Sequence, residues 1–150
     1  MSKAVTVHIP ISPKIAIIVD VKLGFYVKVQ GNEKYVSLNL KALIDTGANG
    51  SCISRRIAEV CNLKKISFVK IRSIQGESIL PVYEADIQLD NDTCFKNIAF
   101  TQTAGSKHFD VIIGMDILSC GDFAFSSDNN GHVFSMRFPS KKVPIDFTAN

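Results

Sequence analysis

The segment Leu43-Ile44-Asp45-Thr46-Gly47-Ala48 ends an apolar run on a carboxylate and follows it at once with a turn. A lone ionised carboxylate beside a core strand is costly or is driven to hold its proton, so Asp45 needs a partner group. A second carboxylate about 3 Å away would supply one, because two like charges that close cannot both ionise and must share a proton. Such a pair can activate water. One carboxylate takes the water's proton while the other, protonated, donates to a carbonyl oxygen, which is general acid and base catalysis without a covalent intermediate. Gly47 suits this chemistry, since a residue without Cβ lets backbone and substrate approach the carboxylate.

The elements that must position Asp45 read as strands. Val5, Val7 and Ile9 alternate with polar residues, as do Val36, Leu38, Leu40 and Ala42, and turn punctuation such as QGNEK separates the runs. Further strands are expected over 15–21, 25–29, 68–74, 79–89, 95–102, 111–113 and 133–138. Two stretches depart from this period. Ile57, Val60 and Cys61 recur at helical spacing behind Ser54, a good N-cap, which predicts a short helix over 55–62 with Ile57 and Val60 facing the core. One or two helical turns are expected after Gly114, with Asp116 as their N-cap. The fold class is therefore all-β, with one or two short helices.

Length and composition narrow the function. The 150 residues suit one domain, 1–150, able to bury roughly two thirds of its unfolded surface. With 46% hydrophobic and 21% charged residues, the chain reads as globular rather than disordered. The net charge of +3 is mild, and its basic residues fall in short pairs, Arg55-Arg56, Lys64-Lys65 and Lys141-Lys142, without an aromatic platform. Nucleic acid is not the expected partner. Cys52, Cys61, Cys94 and Cys120 are widely separated and lie at no metal-ligand spacing from His8, His108 or His132, so no metal is expected. The thiols are expected to be buried and reduced in a cytoplasmic setting, with no N-terminal signal and no apolar run long enough for a membrane.

On LIDTGA (43–48) and FDVIIGMDIL (109–118), the chain resembles the retropepsin-like aspartic proteases. The tripeptide alone is a weak signal; an apolar strand before it and an Ile-Ile-Gly signature about seventy residues later make it specific. The matched pattern covers 36–118. The resemblance implies a retropepsin-like acid protease barrel, one lobe per chain, with Asp45 as the catalytic carboxylate. It implies that Thr46 bonds across a two-fold axis, that Gly47 and Ala48 shape the active-site loop, and that Gly114 packs behind it. No second D-T-G or D-S-G occurs, so each chain carries half a dyad and a homodimer must supply the rest. The alternating Phe134, Met136 and Phe138 would give the C-terminal strand an apolar face for that dimer.

The resemblance also implies a flap closing over a polypeptide substrate, here in 69–82, with Ile74, Gln75, Gly76 and Glu77 around a tip at Gly76. Retroviral flaps are typically richer in glycine, and Met115 stands where those enzymes often carry Arg. The implied activity is peptide-bond hydrolysis without a cofactor. The alternative is a retropepsin-like dimerisation or peptide-binding module that no longer catalyses.

Overall fold

The computed structural model describes residues 2–90 and 92–149. Period-two patterning produces β1 (Lys3–Pro10), β2 (Ile18–Val29), β3 (Asn32–Ile44), β4 (Cys52–Ser54), β5 (Lys64–Ser73), β6 (Gly76–Leu89), β7 (Cys94–Thr103), β8 (Val111–Ile113), β9 (Asp122–Asp128) and β10 (Gly131–Phe138). Two short helices interrupt them, α1 (Arg55–Val60) and α2 (Met115–Leu118). The larger sheet runs β2-β3-β8-β4-β7-β6-β5, and β6 also pairs with β2, where Val21 to Gly24 face Leu89 to Asp86. That last pairing closes six strands into a barrel. Only β5 stays outside the ring, hanging from β6 as one arm of a hairpin.

Inward positions follow the alternation: Val19, Val21 and Leu23 of β2 are buried, as are Ala85, Ile87 and Leu89 of β6. A second sheet, β1-β10-β9, lays Phe134, Met136 and Phe138 onto this same core. Phe138 meets Phe95 of the barrel edge-on at 5.1 Å. The apolar face expected to serve a second copy is therefore spent within the chain, because β10 is the central strand of its sheet and its inner face has the barrel to cover.

Other expectations need correction. The strands expected over 15–21 and 25–29 are one strand, β2. At Gly24, in its middle, a Cβ would lie 1.9 Å from the Tyr35 hydroxyl, so the glycine makes room for that ring. The Tyr35 hydroxyl donates to Asp86 Oδ2 at 2.9 Å, beside Lys96 Nζ at 3.0 Å and the Asn97 N–H at 2.8 Å on Oδ1. Burial pushes the Asp86 carboxyl upward, but the Asn97, Lys96 and Tyr35 donors outweigh it and hold the pKa below the ordinary value. Strands β4 and β9 were not anticipated, the first being only three residues long and the second half polar.

Ser54 caps α1 by accepting from the Ile57 N–H at 3.3 Å. The buried face is Ile57, Ala58 and Cys61, and Val60 is 76% exposed rather than core. Successive residues step about 100° around a helix, and a face centred between Ile57 and Ala58 leaves Val60 outside it. Nor are all four thiols buried. Cys61 is, Cys52 is partly so, and Cys94 and Cys120 are exposed because they sit at the ends of elements, opening β7 and following α2. Among the described residues no helix is long and apolar enough to cross a membrane.

Where β10 ends, Asp122 holds the chain by accepting from Arg137 Nε at 2.8 Å, Ser140 Oγ at 2.6 Å and the Lys141 N–H at 2.9 Å. The Ser140 hydroxyl, the Lys141 amide and the Arg137 guanidinium together lower its pKa to about 2. A depressed carboxylate contributes stability that is complete above its unfolded pKa, near 3.8, and fades as pH falls toward the folded value. Asp122→Asn should therefore flatten the stability profile between pH about 4 and 2, measured by urea denaturation across that range. Gly24→Ala should destabilise by about 1–3 kcal/mol through loss of the Tyr35–Asp86 bond. In a Tyr35→Phe background the added cost should shrink, because part of the obstruction has gone.

Candidate active site

Asp45 is placed by a parallel ladder. β3 and β8 pair Ala42 with Val111, Leu43 with Ile112 and Ile44 with Ile113, and the Asp45 N–H then donates to the Ile113 carbonyl at 3.0 Å. Ala42, Val111 and Ile113 are fully buried, so the backbone arriving at Asp45 is set in the core while the aspartate itself is only partly covered. The turn beyond it is tight. The Gly47 N–H donates to Asp45 Oδ1 at 2.9 Å and the Ala48 N–H to the Asp45 carbonyl at 3.2 Å. A Cβ on Gly47 would stand 3.2 Å from that same carboxylate oxygen. Thr46 and Gly47 are exposed, and Ala48 is half-buried.

The loop is fastened from behind by the chain leaving β8. The Met115 N–H donates to the Ala48 carbonyl at 2.8 Å and the Asp116 N–H to the Asn49 carbonyl at 3.0 Å. Gly114 makes this approach feasible: a Cβ there would lie 2.7 Å from the Gly50 carbonyl oxygen and 2.8 Å from that of Ala48. Those are backbone atoms and have nowhere to retreat. Gly114, not Asp116, is the N-cap of α2.

Asp116 does something the sequence did not disclose. Its carboxylate accepts from the buried Ser51 through the N–H at 3.0 Å and the hydroxyl at 2.7 Å, and from the Ile117 N–H at 2.9 Å. The Ser51 hydroxyl in turn accepts from the Gly114 N–H at 3.1 Å. Ser51 and Asp116 are 65 residues apart, so no local spacing announces them. The only signal was that a serine follows the first motif and an aspartate sits inside the second. A similar tie lies farther along, where Ser54 Oγ donates to Asp110 Oδ1 at 2.7 Å.

Cys52 lies in the same neighbourhood. Burial pushes its thiol pKa up, and the negative charges of Asp116 and Asp45 add to the effect, which keeps the sulfur protonated and a poor nucleophile. Among the described residues no three His, Cys, Asp or Glu side chains are grouped to hold a metal.

The hairpin of β5 and β6 projects from the barrel. Its turn is Ile74-Gln75, closed by the pairing of Ser73 with Gly76, so Gly76 follows the apex instead of forming it. Gly76 carries φ +120°, a conformation other residues resist, which explains the glycine at the position after the turn. Ser73 Oγ accepts from the Gln75 N–H and donates to the Gly76 carbonyl, both at 3.2 Å. Glu77 pairs with Lys70 at 2.9 Å and Arg72 at 2.8 Å across the two arms.

Residues 27–120 match the profile of the family described as "gag-polyprotein putative aspartyl protease". A retropepsin-like aspartic protease from Rickettsia conorii superimposes with a TM-score of 0.51 at 14% identity, over 91% of this chain and 95% of that one. Simian foamy virus (mac) protease gives 0.48 at 16% identity, over 69% and 92%. The retroviral protease-like domain of Ddi1 from Leishmania major gives 0.42 at 18%, over 89% and 99%. No curated protein matches the chain.

Gly114→Ala should destabilise by about 1–3 kcal/mol, since the added methyl meets fixed carbonyls. Asp116→Asn should cost a similar amount, about 1–3 kcal/mol, because an amide keeps one acceptor oxygen and turns its NH2 toward the Ser51 donors. Urea unfolding midpoints equal to that of the parent would show that the loop is not held in this way.

Proposed function

Because the chain belongs to the gag-polyprotein aspartyl protease family, we propose that it is an aspartic endopeptidase whose active site forms when two copies bring their Asp45 loops together. The observation that carries this reading is the Asp45 turn. A carboxylate is delivered by a buried strand to a partly exposed position, oriented by one N–H, and backed by a loop too tightly packed to drift.

One copy contributes one carboxylate, so catalysis needs the second. With the two side chains sharing a proton, the ionised Asp45 removes a proton from water and the protonated Asp45 donates to the scissile carbonyl oxygen. The resulting tetrahedral species collapses as the amine leaves with a proton. Thr46, exposed at the turn, would bond across the axis to its counterpart. The polypeptide would lie extended along the β5–β6 hairpin, gaining affinity from main-chain bonds and specificity from alternate side chains. No cofactor enters this scheme.

The end of the chain supports the dimer. Beyond the Asp122 anchor, Val143, Ile145 and Phe147 recur at every second position and are 64%, 49% and 85% exposed. An exposed apolar cluster of that kind suits burial against a second copy. It replaces the inner face of β10, already consumed by the chain's own core, as the terminal contribution to the interface.

Asp45→Asn should reduce cleavage of a peptide library to background while sedimentation still shows the dimer. An inhibitor with a hydroxyl-bearing transition-state isostere should bind once per two chains. Comparable cleavage by purified Asp45→Asn would move the chemistry elsewhere, and an inactive parent with a well-formed dimer would favour the non-catalytic module. The pH profile should be bell-shaped on the acid side of neutrality, since the working state is lost when both carboxylates ionise or both protonate. The Ala48 side chain has no hydroxyl to donate toward the carboxylate, so the optimum should be less acidic than a stomach enzyme's. A rate still climbing above pH about 8 would contradict a shared proton.

A further inference from the structure

From the β5 edge we infer a substrate class, resting on the protease reading above: an extended polypeptide in which acidic residues alternate with apolar ones. β5 pairs with β6 on one side only, and among the described residues its other edge is unpaired, with nine of its ten residues exposed and Val69 half-buried. The strand carries Lys64, Lys65, Lys70 and Arg72 and no anion. Across the paired stretch 64–84 the only carboxylates are Glu77 and Glu84.

The register sorts the hairpin into two faces. Phe68, Lys70 and Arg72 stand opposite Pro81, Ile79 and Glu77, whereas Val69 and Ile71 stand opposite Leu80 and Ser78. One face is cationic with exposed apolar groups; the other is apolar and small. A strand added at the free edge would continue both faces, because side chains opposite one another in a sheet share a face. Its residues beside Lys70 and Arg72 would gain from negative charge, and their neighbours beside Val69 and Ile71 from apolar side chains. Glu77 alone serves both cations, so the pair retains a net positive charge for an incoming carboxylate.

Lysine on an exposed edge is also a common guard against aggregation. A guard does not need Ile66, Phe68 and Ile71 exposed on the same strand, and such residues undo its purpose. Their interleaving with cations complements a ligand instead.

The test compares three ten-residue extended peptides that share apolar residues at alternate positions and carry Glu, Gln or Lys between them. Binding is read by fluorescence anisotropy with the Asp45→Asn dimer, and cleavage with the parent. The Glu peptide should be preferred over Gln by about 3- to 10-fold at low salt, two opposed charge pairs at a sheet edge being worth that much. The preference should shrink at about 0.5 M salt, where the screening length falls to about 4 Å. Lys70→Gln with Arg72→Gln should abolish it, and Glu77→Gln should enlarge it by removing the internal competitor. Equal handling of the three peptides overturns the inference and leaves the protease assignment intact. Variants that change solubility without changing the Glu-to-Gln ratio also overturn it, in favour of the aggregation guard. If nothing is cleaved, the protease reading fails, and preferential binding of the Glu peptide still decides for or against the acidic ligand.

Discussion

The parallel pairing of β3 with β8 is the constraint on which the rest of the molecule turns. Two segments about seventy residues apart meet in the centre of the barrel, and each leaves it at the same level. One departs as the Asp45 turn and the other as Gly114 and α2. A parallel pair cannot be joined by a short turn, so the intervening chain must travel around the barrel and return. That journey builds β4, α1, the projecting hairpin and β7. The Asp45 turn and the projecting hairpin are thus consequences of one crossing, and the side chains at the crossing, Ala42, Val111 and Ile113, are entirely apolar and buried.

Two polar knots make the crossing rigid without placing a free charge in the core. At the Asp45 end, Ser51 donates two hydrogen bonds to the Asp116 carboxylate while Gly114 lets the two loops touch backbone to backbone. At the seam where β2 meets β6, Asp86 gathers donors from Tyr35, Lys96 and Asn97. Asp86 is buried and has both oxygens occupied, as a buried carboxylate must, and at the other tie it is Ser51 that is buried, its hydroxyl and N–H satisfied by the exposed Asp116. The two ties differ in one respect: the seam closes the barrel, whereas the Ser51–Asp116 knot supports Asp45 through the backbone of its loop. Among the described residues the Asp45 carboxylate accepts one hydrogen bond, from the Gly47 N–H.

Charge is arranged differently on the hairpin. Its cations stay in solvent, where each surface pair contributes little to stability. The Ser51–Asp116 and Asp86 ties instead join segments distant in the chain.

Much of this was legible in the sequence. Period-two alternation marked most strands, Ser54 announced α1, and the D-T-G and Ile-Ile-Gly signatures named the two segments that meet at the crossing. Those features depend on neighbours within a few residues, and a linear reading captures them. The tertiary structure decided the rest. Asp116 read as a cap because Asp near a helix start usually is one, and only the fold brought Ser51 from 65 residues away to occupy its carboxylate. Residues 15–21 and 25–29 read as two strands, and only the fold joins them through Gly24, with Tyr35 and Asp86 placed around it. Val60 fitted a helical spacing, yet on a helix of six residues the barrel contacts Ile57 and Ala58 and not the adjacent margin. Phe134, Met136 and Phe138 displayed an apolar face, but which surface it covers is settled by where β10 lies in its sheet. Sequence period states that a face must be buried; the partner that buries it comes from distant chain, and only packing selects it.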